Sequence, residues 1–412
     1  MRILWVKAGK LLPVDTGGKL RSYKILKELG CDHDVRLLSF YGGQHSPEYE
    51  ADLQREFPSC LSICTALPAS NSIKESLSYL RRVFQETPFA VRKFTHPEVN
   101  WAIREWLKER SFDVAICDFL APSLNFSEVF ETPIILFQHN VETILWQRLA
   151  STESNPLKRI VYKIESAKMR RYESATLHRF DHIIAVSEID RRQMLEMAPD
   201  CEISVVSTGA DARNLKVQPA VECDNPKIAF IGSMDWEPNI DGVGYFCRKI
   251  LPLIKSEFPT VVFQIVGRNP TSEVRRLASA SVQVTGTVTS VDDYLCQATI
   301  VVVPLRIGGG TRLKIFEAMA KGKAVISTSI GAEGLEVENG RDLLLADDPV
   351  EFSRIVCQLL RDVPLRRKYE QAAIACVKQH DWSNVARRFE AVLKGTLEIR
   401  ETARGTKQAL AL

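Results

Sequence analysis

Residues 299–331 read TIVVVPLRIGGGTRLKIFEAMAKGKAVISTSIG, and this stretch decides the fold. Thr299 to Leu305 is a short β-branched run ended by Pro304. It is too apolar for a sheet with one wet face and reads as a buried strand. Gly308, Gly309 and Gly310 then break the chain. Thr311 is placed to cap a helix whose apolar positions Leu313, Ile315, Phe316, Ala318, Met319 and Ala320 follow, until Gly322 ends it. Lys323 to Thr328 begins the next strand, which completes a βαβ unit.

A glycine-rich turn entering a helix aims free backbone N–H groups and the positive end of the helix dipole at one place, which suits a phosphate. Arg312 and Lys314 add full charge there. Glu317 follows Lys314 on the same side, roughly 9 Å along the axis from Thr311 at about 1.5 Å per residue. A carboxylate set back that far from a diphosphate suits the vicinal hydroxyls of a ribose, so the unit reads as a holder for a nucleotide diphosphate. GGGT matches neither the dinucleotide GxGxxG nor the P-loop GxxxxGK[ST] pattern, and such turns are common in α/β folds. The discriminating feature is Arg, Lys and Glu together on one short helix.

The same segment, with Phe316-Glu317-Ala318-Met319-Ala320, Gly322-Lys323-Ala324-Val325, Gly331-Ala332-Glu333-Gly334 and Asn339-Gly340, resembles the donor-site region of the retaining glycosyltransferases of family 4. The resemblance covers nearly the whole chain. It implies the GT-B fold class: α/β, with two Rossmann-like, doubly wound domains facing across a cleft. In that family a pair of glutamates spaced E-x7-E marks the helix. Glu317 matches the second, which binds the nucleotide ribose, while the first falls on Gly309. The sequence departs from the family there, so a contact to the donor sugar must come from backbone or from another residue.

At 412 residues and 45% hydrophobic content the chain can bury two cores. Its net charge of +3, from 54 basic against 51 acidic residues, makes no case for nucleic acid, which demands a concentrated basic face. The ten cysteines show no CxxC pair and no His/Cys cluster at zinc spacing, which favours a reducing cytoplasmic compartment. MRILWVKAG reads as a first strand rather than a signal segment, and no run approaches ~18 uninterrupted apolar residues. A protein that is soluble, or that sits at the inner face of a membrane, is the expectation.

Asp15-Thr16-Gly17-Gly18 introduces a helix through about Leu29. Lys19, Arg21 and Lys24 crowd its first half, against the dipole, and an anionic ligand near Gly17 and Gly18 would remove the conflict. The alternative is that these are solvated cations. By resemblance Gly17 and Gly18 match a turn that faces the donor diphosphate. Strands near Val35–Phe40, Leu61–Leu67, Val114–Asp118, Ile134–Phe137, Ile183–Val186 and Ile203–Val206 alternate with helical patterns, which indicates a parallel doubly wound sheet. Ligands gather at the carboxyl ends of such strands, where Asp118 and His139 lie. Asp118 either orients an acceptor or caps the following segment. His139 matches the family histidine that contacts the donor sugar beside the reacting carbon. Asp32-His33-Asp34 resembles a metal-binding DxD but lies between a helix end and a strand start, and reads as a turn. No metal and no cofactor are expected on the GT-B plan, because helix dipoles and basic side chains balance the leaving diphosphate.

Two segments are candidates to meet a membrane or an acceptor. Ser78 to Phe94 carries Arg81, Arg82, Arg92 and Lys93 with Phe84, Phe89 and Phe94 interleaved; Leu157 to Phe180 carries Lys158, Arg159, Lys163, Lys168, Arg170 and Arg171. Basic residues with apolar neighbours suit an anionic lipid surface or a lipid diphosphate. A solvated helix face is the alternative, and Glu165 and Glu173 dilute the second segment.

The expected organisation is an acceptor domain over 1–216, a linker over 217–226, a donor domain over 227–380, a helix over 381–400 that by resemblance returns to the first domain, and a frayed tail over 401–412. The donor domain opens with the strand Lys227–Ser233, the turn GSMDWEPN (residues 232–239) and a helix over about Ile240–Phe258. That turn resembles a GSMDWxPN subset of the family, in which Asp235 and Asn239 have no settled role; Asn239 also suits a helix cap. Relatives carry Arg and Lys near this turn. Here the phosphate burden falls to Arg312, Lys314 and Arg268, with the backbone at Gly310 and Thr311. Val288, beyond the strand ending near Gly286, matches the family's base-binding turn, and a plain turn reads equally well.

The resemblance therefore implies a metal-independent, hexosyltransferase-like enzyme. It would move a sugar from a UDP-sugar or GDP-sugar to a saccharide or lipid-linked acceptor hydroxyl with retention, in bacterial surface polysaccharide or glycolipid synthesis. By family habit the leaving phosphate itself helps deprotonate the acceptor. A nucleotide-sugar epimerase of the same fold, or a binding protein emptied of catalysis by Gly309, are the competing readings.

Overall fold

The computed structural model describes residues 1–65, 86–109, 112–153, 155–212, 225–307 and 313–410. The glycine-rich turn 308–312, most of the expected linker and the first part of the Ser78–Phe94 segment lie outside them.

The chain divides into two compact units, Met1–Val206 with Val385–Leu412, and Ser207–Asn384. Unit 1 is built on seven parallel strands: β1 (Arg2–Ala8), β2 (Asp34–Gly42), β3 (Leu61–Thr65), β4 (Val114–Asp118), β5 (Ile134–Gln138), β6 (His182–Ala185) and β7 (Ile203–Val205). Their order is β3-β2-β1-β4-β5-β6-β7. Consecutive strands pair outward in both directions from β1, so the order reverses between β1 and β4. That reversal is where open α/β sheets gather ligands. β4 and β5 are buried at every position, as a strand covered by helices on both faces must be. β1 is as apolar over Ile3–Val6, and the Lys7 that follows them is 3% exposed.

Unit 2 repeats the plan with β8 (Lys227–Ile231), β9 (Val262–Val266), β10 (Val282–Gly286), β11 (Ile300–Val303), β12 (Val325–Ser327) and β13 (Leu344–Leu345). The order is β10-β9-β8-β11-β12-β13, again parallel, with its reversal between β8 and β11. β11 to β12 through the helix Leu313–Ala320 is the βαβ unit expected from residues 299–331.

Two elements differ from the sequence reading. The helix expected over Ile240–Phe258 starts at Glu237, with Pro238 in its first turn, and passes through a π-helical turn at Phe246–Ile250 before running on to Glu257. Pro252 explains the widening: it has no N–H to donate and its ring crowds the carbonyl one turn back. The expected frayed tail is instead helical, because the helix Trp382–Leu410 is continuous well past residue 400. Ala403, Arg404, Lys407, Gln408, Ala409 and Leu410 are all strong helix formers, with Gly405 and Thr406 as the two weak positions among them.

Candidate functional site

The β8–β11 reversal of unit 2 is assembled from three loops. Gly232 and Ser233 leave β8, and Gly232 N–H donates to the Val266 carbonyl of β9 at 3.0 Å. The approach is close enough that a Cβ on Gly267 would lie 1.7 Å from the Gly232 carbonyl oxygen, so only glycine fits there. The loops then continue side by side, with Met234 N–H on the Arg268 carbonyl at 2.9 Å and Asn269 Nδ2 on Asp235 Oδ2 at 3.0 Å.

This frame draws two cations to one serine. Arg268 Nε donates to Ser233 Oγ at 2.7 Å. From the other side Asn239 Nδ2 donates to the Ser233 carbonyl at 2.9 Å, while Lys314 Nζ donates to Asn239 Oδ1 at 2.7 Å. An ammonium only donates, so the amide orientation is fixed by its partners. Asn239 is thus a bridge, not a helix cap; it sits inside the first turn of the helix Glu237–Tyr245, and it is buried. Lys314 Nζ also lies 4.2 Å from the centre of the Phe230 ring, within cation–π range. Gly232 leaves the room for this pair: a Cβ there would meet Asn239 Nδ2 at 2.6 Å and Lys314 Nζ at 2.8 Å.

Glu317 stands on the same helix as Lys314, half-buried. Burial raises its pKa, Lys314 opposes the rise, and Asp292 adds to it. Among the described residues no hydrogen bond reaches its carboxylate. Val288 lies half-buried past the end of β10, where Gly286 turns with φ +70°. Gly309, Gly310, Thr311 and Arg312 lie outside the described residues.

The β1–β4 reversal of unit 1 holds a buried polar network. Asp118, fully buried at the end of β4, accepts on Oδ2 from Trp5 Nε1 at 3.0 Å, Lys7 Nζ at 3.0 Å and Ser22 Oγ at 2.7 Å. Its other oxygen lies 2.8 Å from His139 Nε2. Arg21 Nη1 lies 3.1 Å from His139 Nδ1. A guanidinium has no lone pair to offer, so Nδ1 is the acceptor and the proton sits on Nε2, facing Asp118. The ring is therefore neutral with both nitrogens engaged. Burial depresses its pKa to about 3, with Arg21 and Lys7 adding to the effect against Asp118. For Asp118 burial alone would raise the pKa; Lys7 and then His139 and Ser22 outweigh it and hold the carboxyl well below the usual range. Burial lowers Arg21 to about 10, countered by Asp190 and then Asp118.

Phe119 closes the network. Its ring stacks on His139 with centres 3.7 Å apart, and its backbone holds φ +74°, a left-handed conformation uncommon outside glycine. Gly18 makes the space, since a Cβ there would lie 2.6 Å from Phe119 Cζ.

The sequence residues thus fall into two clusters. Lys314, Asn239 and Arg268 converge at the unit 2 reversal, Asp235 faces the adjacent loop, and Glu317 lies on the Lys314 helix. Asp118 and His139 join at the unit 1 reversal, with Gly18 shaping it. Asp118 caps no segment: its carboxylate serves Lys7, Trp5, Ser22 and His139. The expected conflict of cations with the helix dipole after Gly17 is met within the protein. Lys19 pairs with Asp15 at 2.9 Å and Arg21 turns inward to His139. Sequence reading missed Trp5, Lys7, Arg21, Ser22 and Phe119 as members of the site. The legible signal was Lys7, a charge inside an otherwise apolar strand, which demands a buried partner.

A family model described as Glycosyltransferase Family 4 matches residues 26–214, and one described as Glycosyl transferases group 1 matches residues 225–362. The chain is 23% identical over 376 residues to an "Uncharacterized 44.6 kDa protein in cps region" of Klebsiella pneumoniae, covering 88% of this chain and 92% of that one. It is 26% identical over 304 residues to a phosphatidyl-myo-inositol mannosyltransferase of Mycobacterium leprae, covering 70% of this chain and 75% of that one. Among solved structures, the sucrose-phosphate synthase of Thermosynechococcus elongatus superposes with a TM-score of 0.71 at 15% identity, over 97% of this chain and 100% of that one. Anabaena HepE, in complex with UDP and glucose, superposes with a TM-score of 0.67 at 14% identity, over 96% and 99%. The fold, the order of its two parallel sheets and a family match in each unit agree: this chain has the fold of the GT-B glycosyltransferases, with glycosyltransferase models matching 26–214 and 225–362.

Proposed function

We propose that the chain transfers a hexose from a nucleotide diphosphate sugar to a saccharide or lipid-linked acceptor hydroxyl, with retention and without a metal ion. The observation that carries this reading is the convergence of Lys314, through Asn239, and Arg268 on Ser233. It supplies two cations at the end of the central strand, where this fold seats ligands, and two cations suit a diphosphate. The Glu317 carboxylate, free of hydrogen bonds from the described residues, suits the ribose hydroxyls. Arg312 and the backbone at Gly309, Gly310 and Thr311 are proposed to complete the phosphate contacts, with Val288 against the base and Gly17 and Gly18 facing the diphosphate.

HepE was solved with UDP and glucose, and the M. leprae relative is named a mannosyltransferase acting on phosphatidyl-myo-inositol. The HepE name supports a UDP-sugar as donor, with a GDP-sugar as the other donor proposed, and the M. leprae name supports a glycolipid as product, with a surface polysaccharide as the other. His139 is proposed to position the donor sugar, held in one tautomer by Asp118 and Arg21. The test is thermal stabilisation by UDP, GDP, ADP and their sugars, since ligand at 100 times its dissociation constant adds about 2.7 kcal/mol. A base-selective shift supports the reading; no shift with any nucleotide, in folded protein, rejects it. Proton NMR of the first anomer released reports retention or inversion directly.

A further inference from the structure

The helix Pro156–Leu177 carries six cations and two acids, and the structure separates them. Glu173 is fully buried and accepts from Gln138, from the Thr143 hydroxyl and from the backbone N–H groups of Glu142 and Thr143. Glu165 is also buried, bound by the Phe89 N–H and by Lys168. Both acids thus spend their charge inside unit 1. Glu153, just before the helix, accepts from the Asn155 N–H. The dilution expected from sequence does not reach the solvent face.

That face combines apolar and basic side chains. Leu157, Ile160 and Ile164 are 74%, 55% and 36% exposed, and at about 100° per residue they fall within roughly 60° of one another. Lys163 and Arg170 line one flank, and Arg171 continues the apolar row by two turns, while Lys168 turns inward to Glu165. On the Lys163 flank an open groove of about 380 Å³ lies against the helix Glu142–Thr152, lined by Ala150, Ser166, Ala167, Lys163 and Arg170 among others. Among the described residues no helix is long and apolar enough to cross a membrane.

We propose that this face rests on an anionic lipid bilayer, with Leu157, Ile160 and Ile164 in the acyl boundary and Lys163, Arg170 and Arg171 among the headgroup phosphates. A bilayer fits better than a protein partner because the row is short, all its flanking charges have one sign, and long basic side chains reach upward to headgroups while their stems stay apolar. This placement goes beyond sugar transfer and stands whether or not a lipid is the acceptor.

The test is co-sedimentation of the full chain with phosphatidylglycerol or phosphatidylcholine vesicles. The chain is expected to bind the first and not the second, with binding lost at high salt. Lys163→Gln with Arg171→Gln is expected to lower binding about 25-fold, at roughly fivefold per charge. Leu157→Ser with Ile160→Ser, at positions too exposed to disturb folding, is expected to weaken it without changing the salt dependence. Circular dichroism and nucleotide binding check that each variant is folded. No binding to phosphatidylglycerol overturns the proposal, as does binding that both variants leave unchanged. A dimer that the Leu157→Ser/Ile160→Ser variant dissociates, with no vesicle binding, would assign the face to a second copy instead and equally overturn it.

Discussion

The Lys314 ammonium stands 2.7 Å from the Asn239 side-chain oxygen, so a charge from the helix after β11 is delivered to the turn after β8. Removing it leaves that turn one cation short. Lys314→Met is expected to weaken nucleotide diphosphate binding by about tenfold to a hundredfold, the equivalent of about 1.5–3 kcal/mol for a charge-assisted hydrogen bond. Nucleoside binding should be far less affected. Titration calorimetry with UDP, GDP and the matching nucleosides checks both, and equal losses for nucleotide and nucleoside would remove Lys314 from the phosphate site. Gly232→Ala is expected to act in the same direction, because its Cβ would displace Asn239 and Lys314 together.

Glu317 separates binding from stability. Burial raises its pKa, so the folded protein favours the protonated form; the carboxyl's contribution is present at low pH and lost as pH rises through the folded value. Glu317→Gln removes that cost at neutral pH and is expected to leave the melting temperature unchanged or higher, while donor affinity falls by about tenfold or more. A variant that binds donor as tightly as the parent would end the ribose assignment.

His139 titrates far from its ordinary value of 6.5, at about 3. Between those two values the unfolded chain binds a proton that the folded chain does not, so stability rises with pH across this window. His139→Gln offers a donor to Asp118 and an acceptor to Arg21 without a titrating ring. Urea midpoints measured from pH 3 to 7 should show a shallower slope in the variant than in the parent. Parallel curves would mean that the ring is not buried neutral.

Asp118 is the counter-charge of Lys7 in a dry setting. Asp118→Asn strands the ammonium and is expected to cost about 3–5 kcal/mol, the usual result of removing one partner of a buried pair. Lys7→Met in the same chain should recover most of it. Denaturant unfolding of the two single variants and the double variant measures the coupling, and additive losses would contradict it.

Much of the architecture was legible because parallel sheets have a plain sequence signature. Strands such as Val114–Asp118, up to its terminal Asp118, and Ile300–Val303 are wholly apolar, and Gly, Pro and Asn punctuate the intervals. The unit 2 cluster was partly legible: Lys314, Arg268 and Asn239 were each visible as candidates, but their meeting at Ser233 depends on the approach of two loop backbones at Gly232 and Gly267, which no local pattern encodes. The unit 1 network was less legible. Asp118 and His139 mark strand ends, whereas Arg21 looks like one more cation on an exposed helix until tertiary packing turns it inward. Periodicity also hid the π-helical turn, because the helix expected over Ile240–Phe258 runs through Pro252 and its apolar pattern does not mark a local widening. The reach of the final helix was missed because propensity alone supports it.

That final helix has a consequence for how the protein is made. Phe389 is fully buried in unit 1, with its ring centre 5.6 Å from that of Trp5 and 5.0 Å from that of Phe137, yet all of unit 2 is encoded between them. A ribosome translating this message releases the buried residues Ile3–Lys7 of β1 before unit 2 and their aromatic lid only after it. Unit 2 is contiguous and can close while synthesis continues, whereas unit 1 waits with an indole uncovered until Phe389 has followed unit 2 out. A message cut short before residue 389 would yield a finished second unit joined to an unfinished first, which gives cellular quality control a clear mark of incomplete synthesis.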